Sequence, residues 1–181
     1  KLSTPPPGLK RFFEEYPFDV QKMQQDELTR LYNKAYFRNS LDVYLERYAK
    51  KQGVLYLIGL DDFSWINEHM GNLFGDEVLV QVAKTIKSTF YNSDLCGRVG
   101  GDLFVVYLKD IEDNNQILQK AQKLLDNLRE IYTGETKKDG IHASIGMSRF
   151  PEHGTTYDDL FVSAEKAFQR VKSGTKNNSL C

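Results

Sequence analysis

At 181 residues and a formal net charge of -1, the chain is sized for one domain plus a short appendage, without bulk affinity for nucleic acid. Hydrophobic residues make up 40% and charged residues 27%, a globular balance, and no apolar run reaches the length of a membrane-spanning helix. No signal peptide is visible, and Cys96 and Cys181 lack metal-ligand spacing, so a reduced, cytoplasmic setting is expected. Cys96 lies within an apolar strand and reads as a core residue.

The chain opens without a Met on Lys1 to Gly8, whose Pro5-Pro6-Pro7 forms a stiff, extended linker. Leu9 to Gln25 mixes Phe12, Phe13, Tyr16 and Phe18 with charges, as a short helix and lead-in would. Residues 1–25 are therefore expected to link to an upstream domain, with a globular domain over 26–181. The chain would then be a fragment of a longer protein, compatible with the cytoplasmic part of a membrane-anchored one.

Asn33 is placed to cap a helix over Lys34 to Lys51, where Tyr36, Phe37, Leu41, Tyr44, Leu45 and Tyr48 recur at helical spacing. Val54 to Leu60 is a continuous apolar run after a glycine and predicts a buried central strand. Ser64 to Asp76 holds a second constellation, Asn67, Gly71, Gly75 and Asp76, and two helices are expected between the central strand and the next strand pair. As single residues, Asp76 would cap a helix starting at Glu77 and Asn67 would close a turn. Val78, Leu79, Val82, Ala83, Ile86 and Phe90 mark that helix.

Leu95 to Val99 and Phe104 to Leu108 are apolar runs of strand length joined at Gly100-Gly101-Asp102, which predicts a β-hairpin. The glycines permit positive φ and leave room for phosphates to approach the backbone, while Asp102 at the tip is free to accept a metal ion. A third amphipathic helix is expected over Asn115 to Ile131, then a polar turn from Thr133 to Gly140. Ile141 to Arg149 predicts a strand with Ala143, Ile145 and Met147 on one face. A last helix over Tyr157 to Val171 buries Leu160, Phe161, Ala164, Ala167, Phe168 and Val171, with Gly174 as its terminator. Helices alternating with central strands define an α/β sandwich with a mixed sheet.

Gly100-Gly101-Asp102-Leu103-Phe104 resembles the Gly-Gly-(Asp/Glu)-Glu-Phe signature of GGDEF domains, the diguanylate cyclase family. It departs at Leu103, where the family has a metal-binding Glu. Asp26-Glu27-Leu28-Thr29-Arg30-Leu31-Tyr32-Asn33 is similar to the family's opening motif, with Arg30 in place of Gly. The segment from Gly59 to Asp76 matches its strand-and-loop motif through Phe63, Asn67, Gly71, Gly75 and Asp76. The resemblance covers about residue 26 to the C-terminus. It implies a five-stranded central sheet surrounded by helices, related to nucleotidyl cyclases and the polymerase palm. It also implies condensation of GTP to cyclic di-GMP by two domains meeting face to face.

The resemblance places Asn67 and Asp76 on the guanine-reading pair, which suits an amide that donates and accepts and a carboxylate that accepts from guanine N–H groups. Gly100 and Gly101 join them as nucleotide-binding positions, as do Lys172 and Lys176 near the end of the last helix. Both lysines equally complement that helix's dipole. Of the family's two-Mg²⁺ site, the strand-end Asp is Gly59 and the hairpin Glu is Leu103. Asp102 remains as metal ligand and catalytic residue, with the Leu60 backbone carbonyl and Asp61 as further candidate ligands. The Lys that follows Phe in the family is Ser64, and the product-binding Arg-x-x-Asp reads Tyr91-Asn92-Ser93-Asp94, without its Arg.

A weakened Mg²⁺ site is therefore expected, with catalysis impaired and the domain kept as a GTP-binding or regulatory module beside an upstream sensory domain. Two alternatives stand beside it. One is an active cyclase holding its metals with Asp102 and Asp61. The other is a nucleotide-free dimerisation module that uses the aromatic lead-in.

Overall fold

The computed structural model describes residues 23–131 and 140–174. One mixed, five-stranded sheet runs in the order β1-β3-β4-β2-β5. The strands are β1 (Tyr32–Asn33), β2 (Gly53–Leu60), β3 (Leu95–Gly100), β4 (Leu103–Lys109) and β5 (Ala143–Phe150). Among the described residues the helices packed on it are α1 (Lys34–Arg47), α2 (Phe63–Met70), α3 (Asn72–Thr89), α4 (Asn114–Arg129) and α5 (Tyr157–Ser173). The Pro-rich linker and the aromatic residues of the lead-in lie outside the described residues, as do Lys176 and Cys181.

All eight residues of β2 are buried, because the strand pairs antiparallel with β4 on one side and with β5 on the other. Alternation then sorts its side chains. Val54, Tyr56, Ile58 and Leu60 face α2, α3 and α4 in one core. Leu55 and Leu57 face α1 and α5 in a second. β4 obeys the same parity, with Phe104, Val106 and Leu108 in the first core and Val105 and Tyr107 in the second. Helices on both faces explain why these strands read as continuous apolar runs.

The helix ends follow their sequence signals. Asn33 Oδ1 accepts the Tyr36 amide at 2.9 Å and starts α1, whose Phe37, Leu41 and Leu45 form the buried stripe. Asp113 and Thr156 cap α4 and α5 in the same way. Gly174 ends α5, with φ -110° rather than a left-handed turn. Ala143, Ile145 and Met147 share one face of β5, as the alternation predicts.

Two local expectations are corrected. The first concerns Asp76 and Asn67: Phe63 and Ile66 seat α2 in the core, and Gly71, at φ +88°, turns the chain into α3, which begins at Asn72. Asp76 is therefore a residue of α3 rather than its cap, and Asn67 lies inside α2 rather than closing a turn. The second concerns β1, which pairs in parallel with β3 through Tyr32↔Gly97 and Asn33↔Arg98. Two residues carry no detectable alternation, so only the resemblance implied a fifth strand.

Candidate active site

The hairpin between β3 and β4 turns at Gly101 and Asp102. Gly100 and Gly101 have φ of +140° and +54°, and a Cβ built on either meets nothing within 4 Å, so the tip is open to an approaching group. Arg98 holds the turn from inside. Its Nε and Nη2 donate to the Gly101 carbonyl at 3.0 and 2.7 Å, and its Nη1 reaches Asp26 at 3.1 and 3.3 Å. Asp26 also accepts the Thr29 amide and hydroxyl, at 2.8 and 2.6 Å. Burial pushes the Asp26 carboxyl up, but the Thr29 bonds and the Arg98 guanidinium outweigh it and hold the group below its ordinary value. Sequence reasoning did not single out Arg98, although it is the one charged residue in Leu95–Gly100.

Asp102 is half-buried, and its side chain has no hydrogen bond or ion pair among the described residues. Its carbonyl accepts the Leu60 amide at 3.3 Å, so the tip and the end of β2 meet. Asp61 points elsewhere. Its Oδ1 accepts from Lys172 Nζ of α5 at 2.5 Å and from Ser144 Oγ of β5 at 3.0 Å. Lys172 also lies over the Phe168 ring, 5.4 Å from its centroid.

Gly59 and Leu103 are register partners across β2 and β4, on the face covered by α5. A Cβ at Gly59 would lie 2.5 Å from Phe168 Cζ, 2.9 Å from its Cε2 and 3.1 Å from Leu103 Cδ2. Hydrocarbon thus occupies the place where a carboxylate would project. Mg²⁺ requires a near-octahedral set of oxygen ligands. Phe168, Leu103 and an Asp61 neutralised by Lys172 do not supply one. No cluster of three or more His, Cys, Asp or Glu side chains among the described residues is arranged to hold a metal. Of the family's metal-ligand positions, Gly59 and Leu103 bring no side-chain oxygen, and Asp102 keeps its carboxylate.

Asn67 and Asp76 come from adjacent helices. Asn67 is half-buried in α2, and a Cβ at Gly75 would lie 1.9 Å from its Oδ1, so the amide is seated directly on α3. Asp76, the next residue, is exposed and opens onto a pocket with Leu28, Phe74 and Ile131. Gly75, having no Cβ, is what lets the Asn67 amide lie against α3 one residue before Asp76. At Tyr91-Asn92-Ser93-Asp94 the carboxylate is committed to structure, accepting the Lys109 and Tyr91 amides at 3.1 and 3.2 Å. Cys96 is packed against the core, and burial raises its thiol to about 12, which suits a structural role. No helix among the described residues is long and apolar enough to cross a membrane.

Comparison with known proteins agrees with this fold and hairpin. Residues 23–178 match the family described as diguanylate cyclase, GGDEF domain, and the chain belongs to that family. Diguanylate cyclase TpbB of Pseudomonas aeruginosa is 31% identical over 158 residues, covering 84% of this chain and 36% of TpbB. Cyclic di-GMP phosphodiesterase NbdA of the same species is 29% identical over 161 residues, 88% of this chain and 20% of NbdA. The chain therefore spans only a fifth to about a third of these relatives. Among solved structures, the isolated GGDEF domain of TpbB aligns with TM-score 0.76 at 30% identity, covering 83% of this chain and 90% of that one. A sensory box/GGDEF family protein from Caulobacter crescentus aligns with TM-score 0.76 at 26% identity, covering 84% and 99%.

Proposed function

We propose that this GGDEF domain binds a guanine nucleotide without condensing it, and serves cyclic di-GMP signalling as a regulatory module. The observation that carries the reading is Phe168 in the space beside Gly59, opposite Leu103. Cyclisation of GTP needs charge stabilised on the attacking 3′-oxygen and on the α-phosphate together. The family's metal pair supplies that stabilisation when bound. Here Asp102 stands at the open tip, and Asp61 is held by Lys172 and Ser144. Each lost preorganised group typically costs about 10²–10³ in rate, so two losses leave little turnover.

The guanine end is better equipped. Asn67 and Asp76 offer the donor and acceptors that read the base, and Gly100 and Gly101 leave the hairpin open to phosphates. Lys172 would have to leave Asp61 to meet a phosphate, and Lys176 follows it in sequence as a second candidate cation. The module works in the cytoplasm, pairs with a second copy or a neighbouring domain, and receives its signal through residues 1–25. The greater length of its relatives supports a neighbouring domain.

Calorimetric titration of GTP with and without Mg²⁺, followed by product analysis, tests the reading. The expected result is guanine-selective binding with no cyclic di-GMP formed. Cyclic di-GMP in the product would replace it with an active cyclase, and no binding with a nucleotide-free interaction module.

A further inference from the structure

We infer that Phe168 is the residue that closes this site to divalent metal, so that restoring the lost carboxylates alone does not restore a metal site. The inference rests on the proposed function and deepens it. Loss of ligands and loss of space are different defects. A site that has only lost ligands keeps a polar cavity that regains its metal once carboxylates return. Here the volume has been refilled.

The refilling comes from one stretch of α5. The Phe168 tip stands 2.5 Å from where a Cβ at Gly59 would be, closer than real Cβ contacts come. The base of the residue cannot easily retreat. On β5, a Cβ at Gly146 would lie 2.2 Å from the Ala164 carbonyl oxygen, 2.5 Å from the Phe168 amide nitrogen and 2.7 Å from its Cβ. The α5 backbone therefore lies directly on β5, and the ring, 7% exposed, packs in the core shared with Leu57 and Ala164. One turn further along α5, Lys172 neutralises Asp61. A ring fills the volume and an ammonium answers the charge, so the site is complete without a metal.

The test uses Mn²⁺ as the probe, since it shares the oxygen-ligand chemistry of Mg²⁺ and is read directly by electron paramagnetic resonance. The variants are Gly59→Asp/Leu103→Glu and the same pair with Phe168→Leu, which removes the ring atoms nearest Gly59. The unmodified chain and the double variant are expected to leave Mn²⁺ free, and the triple variant to bind it and melt higher in its presence. Mn²⁺ binding by the unmodified chain, equal binding by the double and triple variants, or a folded triple variant that leaves Mn²⁺ free would each overturn the inference.

A second measurement needs no carboxylates. Gly59→Ala is expected to lower the melting temperature by more than about 4 °C in the parent and by much less in Phe168→Leu. An equal loss in both backgrounds would show that the ring does not close the space. The proposed function is judged on the unmodified chain by GTP binding and product, so either conclusion can fail without the other.

Discussion

Arg98 bonds Asp26 and the Gly101 carbonyl with one guanidinium, so the opening motif and the hairpin tip share a single strut. The side chains are only 13% and 23% exposed, which sets the pair apart from a screened surface bridge. Arg98→Ala leaves a half-buried carboxylate unpaired and frees the turn. Charged hydrogen bonds of this kind contribute about 1.5–3 kcal/mol, and a loss of that size is expected in urea unfolding. A double-mutant cycle with Asp26→Ala should return a coupling of roughly 1–3 kcal/mol.

The same carboxylate makes stability depend on pH. Its folded value lies below the ordinary 3.8, so the unfolded chain binds the proton more readily. The group stabilises the fold above that value, and its contribution is lost as pH falls through the lower folded value. Urea midpoints of the parent and Asp26→Asn should therefore converge as pH is lowered below about 4. A constant difference down to pH ~2 would show that Asp26 is not depressed in the fold.

Tyr107 and Tyr157 bury hydroxyls that have no hydrogen-bond partner among the described residues. Burial raises the Tyr157 phenol to about 12 and pushes Tyr107 higher still. An unsatisfied buried polar atom costs about 1–3 kcal/mol, so Tyr107→Phe and Tyr157→Phe should each leave stability unchanged or raise it. A drop of more than ~1 kcal/mol in either variant would reveal a partner, such as an ordered water.

Gly75 gives the nucleotide proposal a local test. An Ala within α3 should favour the helix by about 1 kcal/mol on propensity alone. Its Cβ would displace the Asn67 amide, however. Gly75→Ala should therefore weaken GTP binding as Asn67→Ala and Asp76→Ala do, by about 10–100-fold, corresponding to ~1–3 kcal/mol of lost polar recognition. Retained folding with unchanged GTP affinity in all three would move the guanine site elsewhere.

The readable parts of this chain were those fixed by short-range pattern. β2 announces itself as an apolar run, the hairpin as two such runs around glycines, and Asn33 as a cap. β1 escaped because its two residues are strand only through pairing with β3. Asn67 and Asp76 were misplaced as turn and cap because α2, eight residues with two buried positions, makes too weak a stripe to fix its bounds. Of the candidate site, the residue types at 59, 67, 76, 102 and 103 were visible in order. What Asp61 touches was not, because Lys172 and Ser144 reach it from distant elements. Phe168 looked like any core residue of a helix, and only the sheet register shows which glycine it answers.

The close seat of α5 on Gly59 and Gly146 has a bearing on descent. A carboxylate placed at position 59 alone would meet the Phe168 ring and lower stability. Shrinking Phe168 first would open a void in a settled core, again at a loss. Positions 59 and 168 are therefore coupled: a change at either is costly until the other follows, so the two are free to vary only as a pair.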